Sequence, residues 1–110
     1  MKLPKGFPCV LSLRALTAED ESREAAGVYI GDLLSWVMGR AQCGDVWITI
    51  MSNINVVAVA ALADVACILF AEDVVPEDKV VQTAKEKGIN LYTTPKTAYE
   101  AAVLLADLMK

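Results

Sequence analysis

The sequence predicts a single α/β domain, in two or three layers, built on a mainly parallel sheet of about five strands. Three observations carry that expectation. From Gly27 onward, short β-rich runs alternate with helix-length segments in the order β-α-β-α-β-α-β-α, and such an alternation pairs strands in parallel with helices packed on them. The run Gly44 to Asp73, GDVWITIMSNINVVAVAALADVACILFAED, holds a strand, a polar break, an apolar helix and a second strand. Its strands lack polar alternation, as strands covered on both faces do. Finally, 110 residues suit one domain with one core.

Met1 to Pro8 contains Pro4, Gly6 and Pro8, so residues 1–8 read as an irregular segment and 9–110 as the domain. Cys9 to Leu16 alternates and is rich in β-formers, which predicts a first strand. Thr17 to Glu24 (TAEDESRE) is a polar, acidic connection, and Gly27 to Ile30 is a second short strand. Asp32 is placed to cap a helix that runs to about Gln42, with Leu33, Leu34, Val37, Met38 and Ala41 on one stripe and Trp36 widening it. Cys43-Gly44-Asp45 stops that helix, and Val46 to Met51 is the third strand.

Ser52 to Asn55 supplies a turn and an N-cap for a helix from about Ile54 to Ala63. That helix is apolar on every side, which predicts burial all round. Val65 to Ala71 is a fourth, buried strand. Pro76, Glu77 and Asp78 suit the start of a helix that Lys85, Lys87 and Gly88 bring to an end. Ile89 to Thr93 is the fifth strand, and Thr97 with Glu100 fits a capping box before a last helix striped by Ala101, Leu104, Leu105 and Leu108.

Composition excludes several classes of function. The chain has no histidine, so Ser-His-Asp and Cys-His nucleophilic catalysis is ruled out and the commonest metal ligand is missing. Its ten Lys and Arg are dispersed and the net charge is −4, which argues against nucleic acid, whose recognition needs a concentrated basic footprint. Cys9, Cys43 and Cys67 lie far apart with no C-x-x-C, so no metal site is signalled and reduced thiols in a cytoplasm are expected. Val46 to Ala63 is uncharged and approaches the ~20 residues needed to span a bilayer. Ser52, Asn53 and Asn55 interrupt it, however, which favours a strand–turn–helix away from the membrane. Hydrophobic residues make up 55% of the chain, above the usual ~45–50%, and this surplus predicts self-association as a homodimer.

Ligands of open α/β sheets bind beyond the carboxyl ends of the strands, which here means three loops. The Ser52, Asn53, Asn55 loop opens a helix whose amino end favours an anion or polar head group. The Thr93, Thr94, Lys96, Thr97 loop offers hydroxyls and one cation. Asp32 follows the second strand, and the loop at Glu72-Asp73 is acidic and would repel an anion. Capping and turn formation are the simpler account of the same residues. No G-x-x-x-x-G-K-[ST] or G-x-G-x-x-G occurs, no carboxylate pair converges, and no cofactor is implied. Tyr29, Trp36 and Met38 are candidate interface residues, because large aromatics anchor contacts.

Ser22-Arg23-Glu24, then Gly27-Val28-Tyr29-Ile30-Gly31-Asp32-Leu33-Leu34-Ser35 with Val37-Met38, Gly44-Asp45-Val46-Trp47-Ile48-Thr49-Ile50, Pro76-Glu77 and Ala84-Lys85-Glu86-Lys87-Gly88-Ile89 together resemble the DRTGG domain family. The resemblance covers about nine tenths of the chain and is to short stand-alone members. The D-R-T-G-G string itself is absent, and the loop aligned with it reads Ser52-Asn53-Ile54-Asn55. The resemblance implies an α/β fold, usually dimeric, similar to the N-terminal domain of HPr kinase/phosphorylase. It also implies a regulatory or scaffolding role beside hydrogenase or other redox modules of anaerobic bacteria. Kinase activity is not implied, since it resides in a separate P-loop domain, and the family has no catalytic residues to carry over. The expectation is therefore a non-enzymatic regulatory module, with a sensor of a small anionic metabolite or nucleotide as the alternative.

Overall fold

A computed structural model of the chain describes residues 12–17 and 24–109. The irregular segment 1–8, Cys9 and most of the acidic connection 18–23 lie outside the described residues. The elements are β1 Arg14–Ala15, β2 Gly27–Ile30, α1 Leu34–Arg40, β3 Asp45–Thr49, α2 Asn55–Ala63, β4 Cys67–Phe70, α3 Asp78–Lys87, β5 Leu91–Thr93 and α4 Ala98–Leu108. One five-stranded sheet has the order β1-β5-β4-β3-β2. Strands β2 to β5 are parallel neighbours, and β1 runs antiparallel to β5. The expected mainly parallel α/β fold is the observed one.

Successive strands step across the sheet in one direction, so right-handed crossovers place α1, α2 and α3 on a common face. Alternation along each strand then sorts two cores. Trp47, Ile68, Phe70 and Leu91 point toward those three helices and pack with Val37, Val56, Val57, Ala60, Val80 and Ala84. Val46, Ile48, Cys67, Leu69 and Tyr92 point the other way and pack with Ala101 and Leu105 of α4. The domain therefore has three layers, and β3 and β4 are buried at every position. Each large aliphatic or aromatic side chain so buried contributes about 1.5–3 kcal/mol.

Local signals set the element ends. Thr97 accepts from the Glu100 N–H and Glu100 from the Thr97 N–H, closing the capping box of α4. Gly88 ends α3 in the left-handed region at φ 69°, where a side chain would be strained. Asp45 opens β3 and its carboxylate accepts from the Gln42 N–H at 2.8 Å, tying off the turn after α1.

Three expectations are corrected. Of the strand expected over 9–16, residues 9–11 lie outside the described residues, and within 12–16 only Arg14–Ala15 form β1, pairing with Thr93 and Tyr92. Asp32 does not cap α1: the N-cap is Leu33, without a side-chain bond, and the Asp32 carboxylate is turned to β3 instead. Helix α2 is not buried all round. Val56, Val57, Val59 and Ala60 are buried, but Ala58 and Ala61 are exposed and Leu62 is 72% exposed. An outer-layer helix has one side against the sheet and one side away from it, and the outward side of α2 is apolar like the inward one.

Candidate functional site at the carboxyl edge of the sheet

Because β2 to β5 are parallel, the loops that follow them share one edge of the sheet. Their order along that edge is the strand order. The acidic β4 loop therefore stands between the Ser52–Asn55 loop and the Thr93–Thr97 loop, whose strands are about 10 Å apart. The parallel strands follow in sequence, so they contain no switch point. The room for a ligand lies instead between the amino ends of neighbouring helices.

The clearest cleft of this kind has a volume of about 320 Å³ and is lined by Ser52, Asn53, Ile54, Val75, Glu77, Lys79 and Val80. Its size lies within the ~300–1,000 Å³ range of ligand pockets. Ser52, Asn53 and Ile54 come from the β3–α2 loop, and Glu77, Lys79 and Val80 from the start of α3. The Asn53 carboxamide oxygen accepts from the Asn55 N–H at 2.9 Å, and the Asn53 and Ile54 carbonyls take the next two N–H groups. The first turn of α2 is thereby satisfied within the chain, as the capping account requires. What it leaves toward the cleft is the positive end of the helix dipole. No acidic residue sits in that turn to offset it, whereas α3 carries Asp78 in its own first turn.

Lys79 is the cation of the cleft. Its ammonium lies 3.7 Å from the Glu77 carboxylate, with both side chains largely in solvent, and such a pair is worth little. An incoming anion can take Glu77's place at little cost. Sequence reasoning passed over Val75, Glu77 and Lys79. The signal that finds them is strand order, since adjacency of β3 and β4 is what brings their following loops together.

The other candidates are placed differently. Thr94 is fully buried and its hydroxyl accepts from the Lys96 N–H, while the Thr93 hydroxyl donates to the Val74 carbonyl at 2.7 Å. Both hydroxyls fasten the β5 loop. Lys96 lines a separate cleft of about 300 Å³ with Tyr99, Glu100, Val103 and Leu104. Between the two clefts, Ala71 to Val74 forms a tight turn closed by the Val74 N–H on the Ala71 carbonyl. Glu72 and Asp73 at its centre have φ of 57° and 62°, the left-handed pair of a type I′ turn. Their N–H groups donate to the Lys96 and Thr94 carbonyls at 2.9 Å. The acidic loop is thus clamped to the β5 loop and not to the Ser52 loop.

Asp32 accepts from the Thr49 hydroxyl at 2.7 Å and from the Ile50 N–H at 2.9 Å. It fixes the end of β3, immediately before the cleft loop. Of the interface candidates, Tyr29 is half-buried against the helix-side core. Trp36 and Met38 are 55% and 50% exposed, and the Arg40 guanidinium lies 4.2 Å over the Trp36 ring. Burial pushes the Cys67 thiol up to about 12, so it stays an inert core group. Among the described residues no cluster of three or more ligating side chains could hold a metal ion, and no helix is long and apolar enough to cross a membrane.

No family model matches the chain, and no curated protein matches it. A solved structure does: the crystal structure of the CBS and DRTGG domains of the regulatory region of Clostridium perfringens pyrophosphatase, complexed with the activator diadenosine tetraphosphate. The likeness has a TM-score of 0.75 at 20% identity, over 89% of this chain and 43% of that one. This chain therefore spans less than half of the structure it matches. At that identity the likeness is one of fold: the chain shares its α/β fold with part of that CBS and DRTGG region.

Proposed function

We propose that the chain is a non-catalytic regulatory module, acting as a homodimer, that takes a small anionic ligand such as a nucleotide or metabolite phosphate. The observation that carries this reading is the 320 Å³ cleft at the amino end of α2, whose own first turn holds no acid, with Ser52, Asn53 and the Lys79–Glu77 pair in its wall. Hydroxyl, carboxamide and ammonium are donors that suit phosphate oxygens, and the helix dipole adds to them. The fold it shares with part of a nucleotide-activated regulatory region supports the same reading. Resemblance to stand-alone DRTGG members adds the system served, an anaerobic redox or hydrogenase complex, which co-purification from the native host would identify.

The test is thermal denaturation of the whole chain against inorganic phosphate, acyl phosphates, adenine nucleotides and diadenosine tetraphosphate. Ligand at 100 times its dissociation constant adds about 2.7 kcal/mol, or ~12 °C for a chain of this size. The shift should vanish in Lys79→Ala and shrink in Ser52→Ala. No shift with any of these compounds refutes ligand sensing at this cleft.

A further inference from the structure

We infer that the outward surface of α1 and α2 is the face on which a second copy of this chain docks. The inference rests on the homodimer reading above and assigns it to particular residues. Leu33, Trp36, Met38, Ile54 and Leu62 are 60, 55, 50, 38 and 72% exposed, and Ala58 is exposed midway between Ile54 and Leu62. Helices α1 and α2 pack side by side; Ile54, Ala58 and Leu62 share one face of α2, and Trp36 and Met38 flank the buried Val37 on the two sides of α1. Together they present on the order of 500 Å² of apolar area, the upper end of what a monomer normally leaves bare, and most of the ~800 Å² that each partner gives a stable interface. The small Ala58 between two larger side chains lets a facing helix approach closely.

The charge distribution selects the occupant. Helix α3, in the same layer, carries Asp78, Lys79, Lys85, Glu86 and Lys87, as a solvated helix does. Helix α2 carries no charge, and α1 carries only Arg40, which is laid over the Trp36 ring. A partner selected by charge would find nothing on these two helices to pair with. Two copies with a net charge of −4 each meet without opposing like charges only across such a neutral face, and a two-fold contact matches the patch to itself.

Sedimentation velocity of the whole chain, with Ala58→Asp/Leu62→Asp as the variant and Val103→Asp on α4 as the control, tests this. The expected result is a dimer at micromolar concentration, a dissociation constant raised at least 100-fold in the double variant, and no change in the control. A second readout needs no variant. The chain has two tryptophans, and Trp47 is fully buried, so acrylamide quenching reports on Trp36 and should rise several-fold on dilution through the dissociation constant. A monomer at 100 µM overturns both the face and the homodimer. A dimer that survives the double substitution, or whose Trp36 quenching ignores dilution, overturns the face and leaves the homodimer standing. Ligand sensing at the cleft is read by its own thermal shift and is untouched by either outcome.

Discussion

Replacing Asp32 by alanine removes the carboxylate that joins the end of β2 to the end of β3. Thr49 is 2% exposed and donates its hydroxyl to Asp32 at 2.7 Å. A buried donor stripped of its acceptor costs about 1–3 kcal/mol. The Ile50 N–H, bonded to the same oxygen at 2.9 Å, sits at an exposed residue and can turn to water, so it adds little. The expected loss is about 2 kcal/mol. An unfolding entropy of ~2.1 cal/mol/K per residue over the chain makes that a fall of ~9 °C in Tm. Asp32→Asn keeps an oxygen in place and should lose under ~1 kcal/mol. Urea denaturation supplies the free energies, and a double-mutant cycle with Thr49→Val supplies the decisive number. A real side-chain bond gives a coupling of about 1 kcal/mol or more. Additivity of Asp32→Ala and Thr49→Val would refute the bond.

Other outcomes follow from the same geometry. Thr97→Ala should cost about 1 kcal/mol by opening the capping box of α4, measured by urea denaturation. The Glu100 carboxyl is held below its usual value, first by the Thr97 N–H, then by the Thr97 side chain and by Lys96. Its contribution is therefore complete above the ordinary carboxylate range and is lost as pH falls through the lowered native value; Glu100→Gln should flatten that acid limb. Glu72→Asn/Asp73→Gly installs the pair that a type I′ turn prefers and should raise stability by about 1 kcal/mol, relieving two left-handed residues that cost roughly that much each; a loss of stability would mean the carboxylates make contacts worth more than the strain. A thiol reagent should label Cys43 in the native chain and spare Cys67, whose thiol is buried. With Cys9 replaced by serine throughout, labelling that Cys43→Ser leaves undiminished while Cys67→Ser abolishes it would contradict the burial.

What the sequence reveals is what local chemistry decides. Gly27 to Ile30 is a strand, Gly88 a helix stop, and Thr97 with Glu100 a capping box, because each depends on residues within one turn. Asp32 misleads for the opposite reason: its partner is 17 residues away on another strand, and an acid before a helix looks like a cap whichever way it turns. Hydropathy misleads at α2, since it records that every side is apolar but not which side the sheet covers. The cleft is legible by half. Ser52 and Asn53 follow from their loop, while Lys79 requires knowing that β3 and β4 are neighbours, a fact of topology that no local window contains.

Topology also ties the two proposed surfaces together. Ile54 lines the cleft and begins the outward line Ile54, Ala58, Leu62 on α2, spaced by four residues along one helix face. A ligand at the amino end of α2 and a second copy on its flank therefore act on the same short rod. Any difference in ligand affinity between monomer and dimer must appear in the dimer's dissociation constant, once for each occupied cleft and so squared when both are saturated, because binding linkage is reciprocal. Sedimentation with and without whichever phosphate compound gives the thermal shift measures that coupling. A several-fold change in the dissociation constant, lost in Lys79→Ala, would make α2 the element through which occupancy is reported. An unchanged constant under saturating ligand would show that the cleft and the apolar face work separately, and that the regulatory output leaves the domain by another surface.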